Sequence, residues 1–107
     1  MSDPFPKDYP LGSTWLFDIG VATIEHQLRP DGQLHYRVLS GPHAGNEEVV
    51  PLDIVRLRPQ VFLVSWQEAA GITVVHVEDF ENQRFHSRAT LPGGRLMRTG
   101  GEMRRVG

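Results

Sequence analysis

Glycine and proline residues interrupt this chain at intervals of about a dozen residues, and this punctuation limits its fold more than any other feature. Short segments between turns suit β-strands, and apolar residues at helical spacing are almost absent. The turn signals are Asp18-Ile19-Gly20, Arg29-Pro30-Asp31-Gly32, Gly41-Pro42-His43-Ala44-Gly45-Asn46, Arg58-Pro59-Gln60, Glu68-Ala69-Ala70-Gly71, Glu81-Asn82 and Leu91-Pro92-Gly93-Gly94. The pattern therefore predicts an all-β protein.

Eight strand-like runs lie between these turns. Eight short strands joined by tight turns close into an up-and-down antiparallel barrel, whose interior holds side chains and has room for one small ligand. A sandwich of two sheets has the same sequence signature, so the pattern alone leaves both architectures open.

Alternation of apolar and polar residues predicts which side chains point into the barrel. Three runs alternate clearly, and in one of them the carboxylate of Glu68 falls in register with the apolar positions. The inward residues predicted from these runs are Leu34, Tyr36 and Val38, then Phe62, Val64 and Trp66, then Phe85, Ser87, Ala89 and Leu91. Two inward positions of the last run are small and leave space.

Two runs are ambiguous. In the run from 72 to 79, Val75 and Val77 share one face, while Val74, His76 and Glu78 share the other, so its facing stays open. The run from 49 to 55 changes its alternation and contains Pro51, which predicts a bulge or an edge strand.

The length of 107 residues suffices for one domain. We expect a flexible lead-in at residues 1–10 and a single barrel domain at 11–107. The absence of cysteine excludes disulfides, thiolate metal sites and cysteine nucleophiles. No apolar run approaches the roughly 20 residues that span a bilayer, and the first residues lack the pattern of a secretion signal, so we expect a cytoplasmic protein.

The net charge of -2 argues against nucleic acid or an anionic membrane as partners. Charge is uneven along the chain, because residues 82–107 carry six Arg and one Glu while the remainder is acidic. These arginines are expected mainly at solvated outward positions. Complementary basic and acidic patches also predict a homodimer.

Several segments together resemble known families. Tyr36-Arg37-Val38-Leu39-Ser40-Gly41, the pair Ala44-Gly45, the string 61–68 with its Val-Ser-Trp-Gln-Glu, and Arg84-Phe85-His86 are similar to the phenolic acid decarboxylases. Those are small calycin-type barrels, usually dimeric, that remove carbon dioxide from hydroxycinnamic acids without a cofactor. The string 62–68 followed by 75–80 is equally similar to the MoaF-like proteins, a related barrel family. The resemblance covers roughly residues 11 to 92.

The decarboxylase site carries over only in part. Its acid, a glutamate two residues after the tryptophan, corresponds to Glu68. Its arginine falls on Asn46, and its two carboxylate-holding tyrosines fall near Phe17 and Ile19. The decarboxylases' C-terminal extension is also missing. These departures disfavour hydroxycinnamate decarboxylation and favour the MoaF-like branch, and the decarboxylase register would also turn His76 inward.

Glu68 is the candidate catalytic residue. An inward carboxylate in an apolar interior is costly to keep charged, which is how an active-site acid is made. Alternatively, Glu68 lies at the strand end, close enough to the rim to reach water or cap the turn. The residues predicted to contact a ligand are Phe17, Tyr36, Val38, Asn46, Trp66, Val74, His76 and Ala89.

No cofactor or metal is expected, because the five histidines show no H-x-H or H-x-x-x-H spacing. Gly93-Gly94 and Gly100-Gly101 are interpreted as hairpin turns. The leading hypothesis is a barrel that binds one small, largely apolar or aromatic molecule, with Glu68 as acid or base of a cofactor-free isomerase, cyclase or lyase reaction. The alternative is a non-catalytic interaction module whose barrel is filled by its own side chains.

Overall fold

The computed structural model describes residues 5–107, and this part of the chain is built from β-strands and turns without a helix. No helix in it is therefore available to cross a membrane. The strands are β1 Thr14–Asp18, β2 Thr23–Leu28, β3 Gln33–Val38, β4 Glu47–Pro51, β5 Asp53–Arg58, β6 Val61–Gln67, β7 Thr73–Asp79, β8 Arg84–Thr90 and β9 Leu96–Arg105.

All strands belong to one sheet in the order β4-β3-β2-β1-β9-β8-β7-β6-β5, with every neighbouring pair antiparallel. The sheet curls into a nearly closed barrel, and its first strand in this order, β4, comes into contact with β6. The predicted all-β antiparallel barrel is confirmed, with nine strands in place of about eight.

The extra strand arises where the sequence was irregular. The run from 49 to 55 divides at Leu52 into β4 and β5, and both are edge strands of the sheet. Pro51 is the last residue of β4, opposite Gln33. A proline has no N–H to donate to a neighbouring strand, so it is tolerated at the end of an edge strand and disfavoured in a central one. The chain leaves β4 directly after it. The edge predicted at this proline is confirmed.

Alternation predicted the inward residues of β3, β6 and β8 correctly. The side chains of Phe62, Val64 and Phe85 are almost completely buried, whereas His86 on the opposite face is exposed. The ambiguous β7 turns Val74, His76 and Glu78 inward. Its outward Val77 lies opposite Leu63 of β6, which in turn lies opposite Val55 of β5. The valine pattern was ambiguous because the outer face of this part of the sheet carries an apolar row of its own.

The predicted lead-in contains residues that pack on the barrel. The Tyr9 ring is 4% exposed and lies against Phe62 and Phe80, which closes one end of the barrel. Asp8 accepts hydrogen bonds from the Arg56 side chain and from the backbone N–H of Gln60. Residues 1–4, the start of the predicted lead-in, lie outside the described residues.

The prediction of a hairpin turn at Gly100-Gly101 was wrong. Both glycines lie inside β9, which pairs with β8 up to Glu102 and with β1 from Glu102 to Arg105. A Cβ at Gly101 would collide with the backbone carbonyl of Asp18, and a Cβ at Gly100 with that of Phe85. The glycines therefore allow β1, β8 and β9 to approach closely, a use of glycine that sequence alone does not separate from a turn.

We expect Gly101→Ala to lower the free energy of unfolding by about 1–3 kcal/mol, because the added methyl group forces the β1 and β9 backbones apart. Urea denaturation measures the change. Arg104→Ala, at an exposed position of the same strand, serves as the control and should leave stability nearly unchanged. Equal stability of the two variants would contradict the close approach.

Candidate ligand site

The two ends of the barrel differ in how well their inward side chains are covered. At the closed end, under Tyr9, the side chains of Leu34, Phe62 and Phe85 are at most 2% exposed. At the other end β3, β6 and β8 finish and β4 and β7 begin, and inward residues there are only half-buried. These half-buried residues are Tyr36, Val38, Glu48, Glu68, Ile72 and Ala89. We call this second end the mouth.

A hydrogen-bonded cluster of side chains lines the mouth. The Tyr36 hydroxyl donates to Oε1 of Glu48 at 3.2 Å, and Oε2 of Glu48 accepts the Ala69 backbone N–H at 2.8 Å. The indole N–H of Trp66 donates to Oε2 of Glu68 at 3.0 Å. The bond from Ala69 to Glu48 also ties the end of β6 to β4, so the cluster helps close the barrel where no strand ladder does.

Burial raises the pKa of Tyr36 well above its ordinary value, and the nearby charges of Glu68 and Glu48 raise it further. The phenol therefore keeps its proton at neutral pH and acts as a donor. Among the ion pairs of the described residues, none involves Glu48 or Glu68. The mouth thus presents two carboxylates that share neutral donors and have no cationic partner.

A second polar cluster lies deeper in the barrel. Glu78 on β7 is 1% exposed, and its Oε1 accepts the Tyr9 hydroxyl at 2.8 Å. Its Oε2 lies 3.0 Å from Nδ1 of His76, two residues earlier on the same strand face. Burial raises the pKa of Tyr9, and the charge of Glu78 raises it further, so Tyr9 also stays protonated. Both oxygens of this buried carboxylate are satisfied.

Aromatic rings connect the deep cluster to the mouth. Phe17 stacks on His26 with ring centroids 4.0 Å apart, and the His26 and His76 rings are nearly parallel at 5.9 Å. Trp66 packs edge-on against His76 at 4.7 Å. Burial lowers the pKa of His26 well below its ordinary value, and the neighbouring His76 lowers it further. His26 is therefore neutral at physiological pH.

The structure brings most of the predicted site residues to one region. Four of them are buried in the half of the barrel next to the mouth: Phe17, Trp66, Val74 and His76. Four more are half-buried at the mouth itself: Tyr36, Val38, Glu68 and Ala89. Asn46 is the exception, since it is exposed in the loop between β3 and β4. Its backbone carbonyl accepts a hydrogen bond from the N–H of Val38, which helps to hold the loop between β3 and β4 in place.

Sequence reasoning missed Tyr9, His26, Glu48 and Glu78. A signal existed for Glu78, which shares the face of Val74 and His76, and for His26, which alternates with Leu28. Glu48 shares a face with Val50 but lies just before the run from 49 to 55 in which the alternation changes. No local pattern pointed to Tyr9, because its hydrogen-bond partner Glu78 is 69 residues away in the chain.

Two further clefts lie on the outer surface of the described chain. One of about 330 Å³ lies beside β1, β8 and β9 and is lined by Leu16, Asp18, Thr23, Asn82, Gln83, Arg84, Glu102, Met103 and Arg104. The other, of about 470 Å³, follows the seam at Leu52 and reaches one side of Trp66. Within residues 5–107, no group of three or more His, Cys, Asp or Glu side chains is placed to hold a metal ion.

The fold and its mouth define a calycin-like β-barrel. Residues 11–104 match the family model described as MoaF-like, so the chain belongs to the MoaF-like family. The chain is similar to a crystal structure from Burkholderia vietnamiensis that is provisionally described as a beta-lactamase, with 25% identity and a TM-score of 0.89. That match covers 95% of this chain and 100% of the other. No curated protein sequence matches significantly.

The lowered pKa of His26 predicts how stability depends on pH. Below its ordinary value of 6.5, the unfolded chain binds a proton that the folded barrel excludes. The contribution of His26 to the free energy of unfolding is therefore full above about pH 6.5. It falls as the pH drops below this value, by at most about 1.4 kcal/mol per pH unit. Denaturation between pH 7.5 and 5 measures the slope. His26→Leu should flatten it, whereas the exposed control His86→Gln should not, and equal slopes would contradict the assignment.

Proposed function

We propose that this MoaF-like barrel binds one small, largely apolar or aromatic molecule at its mouth. The observation that carries the proposal is the contrast between the sealed end under Tyr9 and the half-buried inward residues at the other end. Ligand sites are concave and mainly apolar, with a few convergent polar groups. The mouth has this composition.

The surfaces around the mouth suit an aromatic or aliphatic ligand. Trp66 is edged by two histidine rings, and Val74 and Ala89 lie opposite each other on β7 and β8. Ser87 is a small inward residue next to them on β8. We expect small side chains on one wall and large rings on the other to suit a flat molecule.

Glu68 would act as the general acid or base if the bound molecule is also converted. It is half-buried, bonded to Trp66 and close to the Tyr36 hydroxyl, so it can contact both water and a ligand. A carboxyl group placed there could take a proton from a bound molecule and return it elsewhere, as a cofactor-free isomerase, cyclase or lyase requires. Tyr36 would hold a ligand oxygen in place through its hydroxyl.

An alternative is a non-catalytic interaction module with a filled barrel. It is favoured by the complete burial of large side chains such as Phe17, Phe62, Phe85 and Met103 in the interior. The structural neighbour is described as a beta-lactamase, and serine beta-lactamases carry a Ser-x-x-Lys motif. This sequence has no such motif, because Lys7 is its only lysine and position 4 is a proline.

We expect ligand binding to be reported by Trp66 and not by Trp15, which lies against Phe80 at the closed end. In a Trp15→Phe protein, titration with small apolar and aromatic metabolites should change the fluorescence of Trp66. In the matched Trp66→Phe protein the signal of Trp15 should stay constant.

The same ligands should raise the melting temperature, since a ligand at 100 times its Kd adds about 2.7 kcal/mol of stability. Glu68→Gln should weaken binding or abolish turnover of a hit. A library that changes neither the fluorescence of Trp66 nor the melting temperature would favour the interaction module.

We also propose that the chain forms a homodimer and acts in the cytoplasm. Arg88 and Arg98 lie opposite each other on exposed faces of β8 and β9, where two like charges would gain from an acidic partner surface. Sedimentation at several ionic strengths tests the dimer, which should weaken as salt rises. A monomer at every ionic strength would contradict it.

A further inference from the structure

The ring of His76 has two nitrogens in different surroundings. Nδ1 lies 3.0 Å from the buried Glu78 carboxylate. For Nε2, the hydrogen bonds of the described residues include no partner, and the His26 ring likewise has none. Yet residues 5–107 contain no sealed side-chain nitrogen or oxygen that lacks a hydrogen-bond partner. Nε2 is therefore not completely sealed by its neighbours.

Tyr9 and Glu78 decide which nitrogen carries the hydrogen. The pKa of Tyr9 is raised, so its hydroxyl remains protonated and donates to Oε1 of Glu78. Among the described residues, His76 is the only basic side chain within 4 Å of this carboxylate. If Oε2 of Glu78 accepts an N–H from His76, a singly protonated imidazole has its hydrogen on Nδ1 and a lone pair on Nε2.

The surroundings of Nε2 are aromatic. The His76 ring lies between Trp66 at 4.7 Å, Phe85 at 5.4 Å and Phe17 at 5.7 Å, and next to the neutral His26. Among the described residues, no side chain donates a hydrogen bond to a lone pair on Nε2. The mouth above it carries Glu48 and Glu68, which also accept hydrogen bonds and have no cationic partner among the described ion pairs.

We propose that His76 is the polar anchor of the ligand site, with Tyr9 and Glu78 as positioning residues that present Nε2 as an acceptor. The inference rests on the proposed ligand function and names its ligand class: an uncharged, largely apolar molecule that carries an O–H or N–H donor at its buried end and no carboxylate. A carboxylate would meet the acceptors Nε2, Glu48 and Glu68 and would find no cation, so acidic ligands are excluded.

The hydrogen position is tested on the ligand-free protein. Long-range ¹H–¹⁵N NMR spectra at pH 7.5 should show the His76 hydrogen on Nδ1 and a bare Nε2. In Glu78→Gln the amide N–H₂ can donate to Nδ1, so the hydrogen should move to Nε2. The exposed control His86→Gln should leave the His76 signals unchanged. A wild-type His76 with its hydrogen on Nε2 would overturn the proposal without any variant.

The ligand class is tested with a matched pair of probes, indole and 1-methylindole, which differ by one N–H. We expect indole to bind about ten times more tightly, because an N–H bond to a buried acceptor is present in one complex and absent from the other. Indole should also shift the Nε2 resonance of His76. Benzoate, which has an aromatic ring and a carboxylate, should not bind.

The outcomes separate this inference from the proposed function. If indole and 1-methylindole bind equally and the Nε2 resonance stays unchanged, the role of His76 is wrong while ligand binding at the mouth stands. Binding of benzoate with the affinity of indole would overturn the ligand class. If no molecule of the wider library changes Trp66 fluorescence or the melting temperature, the proposed function itself is wrong, and the inference falls with it.

Discussion

The buried carboxyl group of Glu78 is the constraint that connects the N-terminal segment to the interior of this barrel. A carboxyl group in an apolar interior is tolerated only when its oxygens are hydrogen bonded. Here one bond comes from Tyr9, in the segment before the first strand, and the other involves His76 on the same strand. Satisfying Glu78 thus holds the N-terminal segment against the barrel and fixes the orientation of a histidine in its upper half.

The sequence predicted the all-β architecture and most inward positions, because glycine and proline punctuation and period-two alternation are local signals. It left β7 open, since Val75 and Val77 belong to an apolar row on the outer face and cannot be separated from core valines within one strand. The role of Gly101 depends on the carbonyl of Asp18, on a strand distant in sequence. Such close approaches of remote segments leave no trace in a local pattern.

The candidate site was predictable to the same extent. Glu68 and Trp66 were predicted to share a face because they alternate along one run, and in the structure the Trp66 indole donates to Glu68. Tyr9 and Glu78 are separated by 69 residues, and Glu48 meets Tyr36 only after β3 and β4 pair. These contacts come from topology, so alternation could suggest at most that a residue points inward, without indicating its partner.

The mouth and the deep cluster together describe a barrel whose polar interior is short of positive charge. Where the decarboxylases that it resembles carry an arginine and two tyrosines, this chain has the exposed Asn46, the apolar Phe17 and the half-buried Ile19. The positions that the resemblance assigns to carboxylate-holding groups therefore offer no cation and no tyrosine hydroxyl in this chain. Glu48 and Glu68 both accept hydrogen bonds there without a cation among the described ion pairs, so the charge at the mouth disfavours anions and agrees with the uncharged ligand class proposed above. In a barrel of this shape, the charges at the mouth and not the strand topology would decide which molecules bind.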